Sequence, residues 1–269
     1  MAEIPEILVA RLTHIAILAA QHAGGILRRG FGSSFEVTSK SHRHDLVTSY
    51  DKEVEKAIIT FIKHSFPEHT FLGEEGGLIG DDPSTIQWII DPLDGTVNFA
   101  HHIPMFAVSI AATLRGEVLA GVIYHPLLEE LFVAEKGQGA FLNGKKLKVS
   151  QTALIEDAMI ATGFPYNVKE NPLHCIELFE HLALLGTPLR RMGSAALDLA
   201  YLAAGRFDAF WEVSLKPWDV AAGRLLITEA GGKISRFDGS PLSLVEEGPV
   251  AATNTFLHNQ LLTHLHATD

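Results

Sequence analysis

The sequence predicts a layered protein of mixed α and β structure, with sheets sandwiched between helices. Three observations carry that expectation. Two helical patterns open the chain near residues 5–29 and 48–66, short β-type runs with turn residues between them fill 105–149, and strand and helix alternate from there to the end. At 269 residues, 47% of them apolar, the chain has material for one large domain or two modest ones. It contains no internal repeat, low-complexity tract or long linker. Residues 1–269 therefore read as a single domain whose two subdomains, roughly 1–150 and 151–269, meet at a cleft.

The first helical stretch, "IPEILVARLTHIAILAAQHAGGILRRG", is apolar enough to raise a signal-peptide or membrane reading. Glu6, Arg11, His14 and Gln21 interrupt it at helical intervals, which favours an amphipathic surface helix. The polar joint "VTSKSHRHDLVTS" is expected to be a loop or a hairpin. After Pro67, "TFLGEEGG" and "IQWIIDP" read as two short strands that stop at carboxylates, with "GGLIGDDPST" as the loop between them. The 105–149 segment is expected to be an antiparallel meander. Beyond it come strand "AMIATG", a helix near 168–184, strand "PLRRMG", a helix near 194–204, strand "RFDAFWEV", and a helix near 218–230. Strands "GGKISR" and "GPVAATN" and a helix near 255–267 close the chain.

The charge balance is 32 acidic against 21 basic residues, a formal −11. That argues against a nucleic-acid groove, since a phosphate backbone demands clustered Lys and Arg. An anionic ligand would need cations from elsewhere. The single cysteine, Cys175, cannot form an internal disulfide, so the cytoplasm is the default compartment.

The most informative stretch is "WIIDPLDGTVNFAH", residues 88–101. It carries Ile89 and Ile90 into the interior and then sets Asp91 and Asp94 at the end, where burying ionised carboxylates is expensive. A tight turn after Pro92 would aim both at one point, where only protonation or a cation relieves their repulsion. Hard oxygen donors without paired His or Cys select Mg²⁺ over Zn²⁺, and the Leu93 carbonyl is placed to contribute. "GTVNF" can begin a short helix whose first N–H groups are free to bind phosphate. Taken alone, the peptide also reads as an Asp N-cap on an ordinary helix. Two further segments shift the balance. "FLGEEG" places Glu74 and Glu75 at another strand end, Glu75 reading as a solvated neighbour, and "LKPWDVAAG" places Asp219 at a helix start, where an N-cap role is equally open. Three acidic ends can converge at the carboxyl edge of a sheet, and acidic ligands beside an anion cradle are what metal-assisted phosphate ester hydrolysis requires.

The ordered set "GEE", "WIIDPLDGTVNF" and "LKPWDVAAG", with "RRMGSAALDLAYLAAGRFDAFWE" between the last two, closely resembles the inositol monophosphatase family from about Lys40 to the last helix. The resemblance implies a layered α-β-α-β-α sandwich of the inositol monophosphatase/fructose bisphosphatase type, with two or three Mg²⁺ per active site. Carried onto matching positions, it implies one Mg²⁺ on Glu74, Asp91 and the Leu93 carbonyl, a second on Asp91, Asp94 and Asp219, and a weaker third on the Glu74 side. Glu74, Thr96 and Asp51 of "TSYD" are the implied catalytic groups, Thr96 and Asp51 acting on the attacking water. The Gly95 and Thr96 amides would hold phosphate oxygens, with Leu93, Asp94 and Asp219 also on the substrate side. Gly193, Ser194, Ala195 and Glu212 resemble the family's contacts to substrate hydroxyls. Arg190 matches a substrate-side arginine of bacterial members, although the adjacent Arg191 leaves open which one faces inward. Lys40 matches a flexible loop near the weak metal site, a solvated lysine being equally open.

What the resemblance implies in function is Mg²⁺-dependent hydrolysis of a small polyol monophosphate, inositol monophosphate first, inhibited by Li⁺. Fructose bisphosphatase, 3'-phosphoadenosine bisphosphate nucleotidase and histidinol phosphatase share the fold, and a non-catalytic regulatory binding protein is the alternative of another class. The family's habit is a homodimer, for which the apolar "MFAVSIAATL" offers an interface, with neither nucleic acid nor membrane as partner. A haloacid-dehalogenase-type phosphatase would space its aspartates two apart, whereas Asp91 and Asp94 are three apart. Cys175 lacks the Arg-rich phosphate loop of a cysteine phosphatase. His42 and His44 lie in a loop usually less rich in histidine and read as solvated, while His101 and His102 are expected at the rim of the cleft.

Overall fold

The computed structural model describes residues 5–40, 42, 45–80 and 82–266. Helices α1 (Glu6–Gly30) and α2 (Ser49–Ser65) flank an antiparallel hairpin of β1 (Val37–Ser39) and β2 (Leu46–Thr48). Strands β3 (Thr70–Gly73), β4 (Gly77–Ile79) and β5 (Gln87–Asp94) lead to the short α3 (Thr96–Ala100). The meander is β6 (Ala107–Leu114), β7 (Glu117–His125), β8 (Glu130–Glu135), β9 (Gly139–Leu142) and β10 (Lys145–Lys146). The second half runs β11 (Ile160–Thr162), α4 (Cys175–Leu184), β12 (Leu189–Arg190), α5 (Ala195–Ala203), β13 (Ala209–Leu215), α6 (Pro217–Glu229), β14 (Lys233–Ser235), β15 (Gly248–Thr253) and α7 (His258–Leu265).

Two large sheets and three helical layers result, with the β1–β2 hairpin apart from them. The eight-stranded sheet has the order β10-β9-β8-β7-β6-β5-β3-β4, and the five-stranded sheet the order β12-β11-β13-β15-β14. Helix α1 buries Leu12, Ala16, Ala19, Ala23 and Leu27, a stripe at three- to four-residue spacing, against β6 and β7. Its length and composition would suit a membrane span, but that apolar face is taken up by the sheet. Helices α5 and α6 fill the space between the sheets, and α4 and α7 cover the outer face of the second. The order is α-β-α-β-α, as the sequence resemblance implies. Along β5 the side chains alternate: Trp88 and Ile90 enter the α1/α2 core, Ile89 the α5/α6 core.

Four expectations are corrected. Strand β5 does not turn after Pro92 but runs on to Asp94 with a bulge, because proline lacks the N–H that a ladder position would use. Part of the expected "GGLIGDDPST" loop is the edge strand β4, paired with β3. The helix expected near 168–184 begins only at Cys175. Asn171, Leu173 and His174 ahead of it take positive φ of 51°, 49° and 52°, and Pro172 disfavours helical backbone at the residue before it. The "MFAVSIAATL" segment is β6, buried between β5 and β7, so it is core and not a contact surface.

Candidate active site

The bulge in β5 builds the site. Residues three apart on a regular strand point to opposite faces. Here Asp91 pairs with Ser109 and Asp94 with Ala107, so three steps on β5 match two on β6 and the extra residue brings both aspartates to one side. Strand β3 runs parallel beside β5, and the Glu74 N–H donates to the Ile90 carbonyl at 3.2 Å, which sets Glu74 next to Asp91 at the same sheet edge. Asp219 arrives from the first turn of α6, where its Oδ2 accepts from the Lys216 N–H at 2.7 Å. It is therefore a first-turn carboxylate and not the N-cap, which is Lys216.

One carboxylate oxygen from each of Asp91, Asp94 and Asp219 lies within 4.8 Å of the others. Asp91 is 2% exposed, and among the described residues none of the three is ion-paired. Burial pushes the Asp91 carboxyl well above the ordinary range, reinforced by the charges of Glu74, Asp94 and Asp219. Burial likewise raises Asp219, with Asp94 the next cause. Asp94 is pushed up to about 6, although Ser194 Oγ and the Ala196 N–H, the latter at 2.8 Å, both donate to its Oδ2. One buried and two half-buried acids, all with raised proton affinity, are poised to give up protons to a shared hard cation. Glu74 lines the same cavity but stands outside this trio, its Oε1 accepting from Lys40 Nζ at 2.9 Å. Lys40 also pairs with Glu75. Glu75 is thus not a solvated neighbour: its side chain is packed, and its N–H donates to Glu55 Oε2 at 2.9 Å.

Behind the three aspartates a threonine hydroxyl is hydrogen-bonded to a further, buried carboxylate. Thr96 Oγ1 lies 2.9 Å from the Leu93 carbonyl and 2.9 Å from Asp51 Oδ1. Asp51 does not line the cavity; it is buried in the first turn of α2, with the N–H and Oγ1 of Thr48 donating to its Oδ2 at 2.7 and 2.6 Å. Burial pushes its carboxyl up to about 6 against those hydrogen bonds. Gly95, at φ 92°, allows the chain to pass from β5 into α3; a Cβ there would also stand 2.9 Å from the Met105 carbonyl. The two halves are joined at this point, since Asn98 Nδ2 donates to the carbonyls of Met105 at 2.7 Å and Met192 at 2.9 Å.

The opposite wall of the cavity, about 340 Å³ in volume, comes from the second half. Gly193, Ser194, Ala195 and Glu212 all line it, with Ser194 already committed to Asp94. Arg191 lines it and Arg190 does not: Arg190 is exposed, its Nη1 donating to the Leu189 carbonyl at 2.9 Å. Burial, and then the Asp94 charge, pushes Glu212 up to about 8. Asp198 and Tyr166 line the cavity too and were not anticipated from sequence. Tyr166 carried no signal, whereas Asp198 did, as a lone acid in the apolar run "AALDLAYLA". His42 is on the wall, His44 lies outside the described residues, and His101 and His102 are exposed away from the cavity.

Acidic side chains from both halves of a layered fold therefore meet at one cavity. The chain belongs to the inositol monophosphatase family, whose sequence model matches residues 8–269. It is 44% identical over 229 residues to the Nus factor SuhB of Escherichia coli strain K12, covering 85% of this chain and 86% of that protein. It is 43% identical over 254 residues to an inositol-1-monophosphatase of Caulobacter vibrioides, covering 93% and 99%. Among solved structures, the extragenic suppressor protein suhB of Bartonella henselae superposes with a TM-score of 0.91 at 38% identity, covering 96% of this chain and 100% of that one. A more distant one, an IMPase/NADP phosphatase complexed with Mg²⁺ and phosphate, gives 0.83 at 25% identity over 97% of each chain.

Proposed function

We propose that this protein hydrolyses the phosphate monoester of a small polyol, myo-inositol monophosphate first, using Mg²⁺ held by its carboxylates. The observation that carries this reading is the convergence of Asp91, Asp94 and Asp219 within 4.8 Å. The donor set fits Mg²⁺: hard carboxylate oxygens, no paired His or Cys, and raised proton affinities that a divalent cation relieves. Glu74, Asp91 and the Leu93 carbonyl would hold one ion, and Asp91, Asp94 and Asp219 another; Glu74 would exchange Lys40 for the metal. Bound there, Mg²⁺ supplies charge neutralisation of the ester phosphate, an acidified water and stabilisation of the departing alkoxide.

The chain's own groups do the rest. Ser194 Oγ and the Ala196 N–H fix Asp94 by one oxygen and leave the other for the cleft. Thr96 Oγ1 accepts a hydrogen bond from the attacking water while handing its own proton to Asp51, which reaches the cavity only through Thr96. The amides of Gly95 and Thr96 receive phosphate oxygens. Gly193, Ala195, Arg191 and Glu212 stand on the alcohol side. The whole chain works as one domain, roughly 1–150 supplying most metal ligands and 151–269 supplying Asp219 and the alcohol wall. It acts in the cytoplasm as a Li⁺-sensitive homodimer.

A second reading follows from the name of the Escherichia coli relative, a Nus factor: a binding role beside or without turnover. The intact carboxylate trio favours turnover, since acids that repel without metal have no use in a purely binding protein. Phosphate release from inositol 1-phosphate, fructose 1,6-bisphosphate and 3'-phosphoadenosine 5'-phosphate, each with Mg²⁺ and with EDTA, tests the proposal. Mg²⁺-dependent release, highest in kcat/KM for inositol 1-phosphate, is expected. A preference for the nucleotide overturns the substrate, and release that survives EDTA, or none at all, overturns the phosphatase.

A further inference from the structure

The cavity has a second acidic wall, apart from the metal trio. Asp198, on α5, lines the cavity yet is 2% exposed, and its Oδ1 has no hydrogen-bond partner among the described residues. Glu212, on β13, lines the same wall and is 8% exposed. Its carboxylate is pressed against main chain: a Cβ on Gly163 would stand 2.2 Å from Glu212 Oε2, so only glycine leaves room for it. Arg191 shares the wall, and its charge favours the ionised form of both carboxyls, but among the described residues no ion pair closes on either.

A buried carboxyl oxygen with no donor is costly in a folded protein, so a wall built this way is completed by something that brings donors. Ammonium ions and hydroxyls are the two candidates. An ammonium would add a second cation beside Arg191. Burial pushes the Asp198 carboxyl well up, helped by the Glu212 charge, and pushes Glu212 up to about 8, so near neutral pH the wall holds a proton to donate as well as oxygens to accept. A hydroxyl does both; an ammonium only donates.

We propose that Asp198 is a specificity-determining residue, which together with Glu212 engages neighbouring hydroxyl groups on the alcohol half of the substrate. This rests on the polyol phosphatase reading, and its test keeps the two apart. Steady-state kinetics of wild type, Asp198→Ala and Asp198→Asn compare myo-inositol 1-phosphate with p-nitrophenyl phosphate, whose leaving group has no further hydroxyl. The ratio of kcat/KM for the inositol ester over the aryl ester falls about tenfold or more in Asp198→Ala, mostly through KM, and Asp198→Asn recovers part of it. A parallel fall for both esters marks a purely structural role and overturns the proposal, as does an unchanged ratio. Calorimetric titration of free myo-inositol into protein loaded with Mg²⁺ and phosphate needs no turnover. Wild type binds and Asp198→Ala binds at least about tenfold more weakly; equal affinities, or no binding by wild type, overturn the proposal. Failure of the phosphatase reading shows separately, as no Mg²⁺-dependent release from p-nitrophenyl phosphate.

Discussion

Thr96 joins two parts of the site through one oxygen, which lies 2.9 Å from both Asp51 Oδ1 and the Leu93 carbonyl. Thr96→Val keeps the shape and removes the relay, so kcat should fall about 10²-fold with little change in KM, the size expected of a lost acid–base contribution. Steady-state kinetics at saturating Mg²⁺ measure it, and an unchanged kcat would remove Thr96 from proton transfer. His69 sets a pH dependence away from the site. Its Nδ1 accepts from Trp88 Nε1 at 3.0 Å, and burial pushes its pKa down to about 4. An unfolded histidine titrates near pH ~6.5, so between that value and about 4 this one site binds more protons in the unfolded chain, and its contribution to stability drops as pH falls. The urea midpoint of wild type relative to His69→Gln should decline as pH falls across that window; a difference that does not change with pH would count against this assignment. Which single residues were legible follows the same chemistry. Asp91 and Asp94 were readable because acids at the end of an apolar run are anomalous, whereas Asp219 stood at a helix start where capping was equally open and the family resemblance singled it out. Arg190 and Arg191 were not separable, because they sit at the end of the two-residue strand β12, too short to show an alternation.

Among the elements, the β5–α3 junction decides the geometry. Gly95 holds φ at 92° while its Cα faces the Met105 carbonyl, so Gly95→Ala should lose at least about 1–2 kcal/mol from the left-handed conformation alone. Urea unfolding checks this, and a loss near zero would mean that the junction relaxes freely. Asn98 ties the same junction to the loop before α5, and Asn98→Ala should cost about 1–3 kcal/mol by stranding two carbonyls. The strand β5 was predictable from "WII", but its continuation through Pro92 was not. Proline reads as a stop, and a bulge depends on the partner strand, here β6, which hydrophobic periodicity along β5 does not reveal. The late start of α4 has a similar origin. Apolar spacing suggested a longer helix, and the left-handed residues before Cys175 leave no mark in hydrophobic periodicity.

At the scale of the molecule, two sheets and three helical layers place three unlinked acidic segments at one cleft. The pairings that do so, β3 beside β5 and β11 beside β13, are parallel and non-local, so periodicity alone gave the elements and the family resemblance supplied their stacking. Metal-free protein should bear the repulsion of that cleft. Asp91→Asn keeps the acceptor for the Leu93 N–H and removes a charge, so in EDTA it should melt about 2–4 °C above wild type, the shift that about 1 kcal/mol gives in a large domain. Adding Mg²⁺ should raise the wild-type melting temperature and leave the variant's nearly unchanged. A variant that melts lower than wild type in EDTA would show that the trio is not strained without its cation.

The most direct measurement is an anomalous difference map from crystals soaked with Mn²⁺ and phosphate. It should show Mn²⁺ within coordination distance of Asp91, Asp94 and Asp219 together, with phosphate against the same ions. Mn²⁺ bound elsewhere, or a cleft whose three aspartates share no ion, would contradict the account.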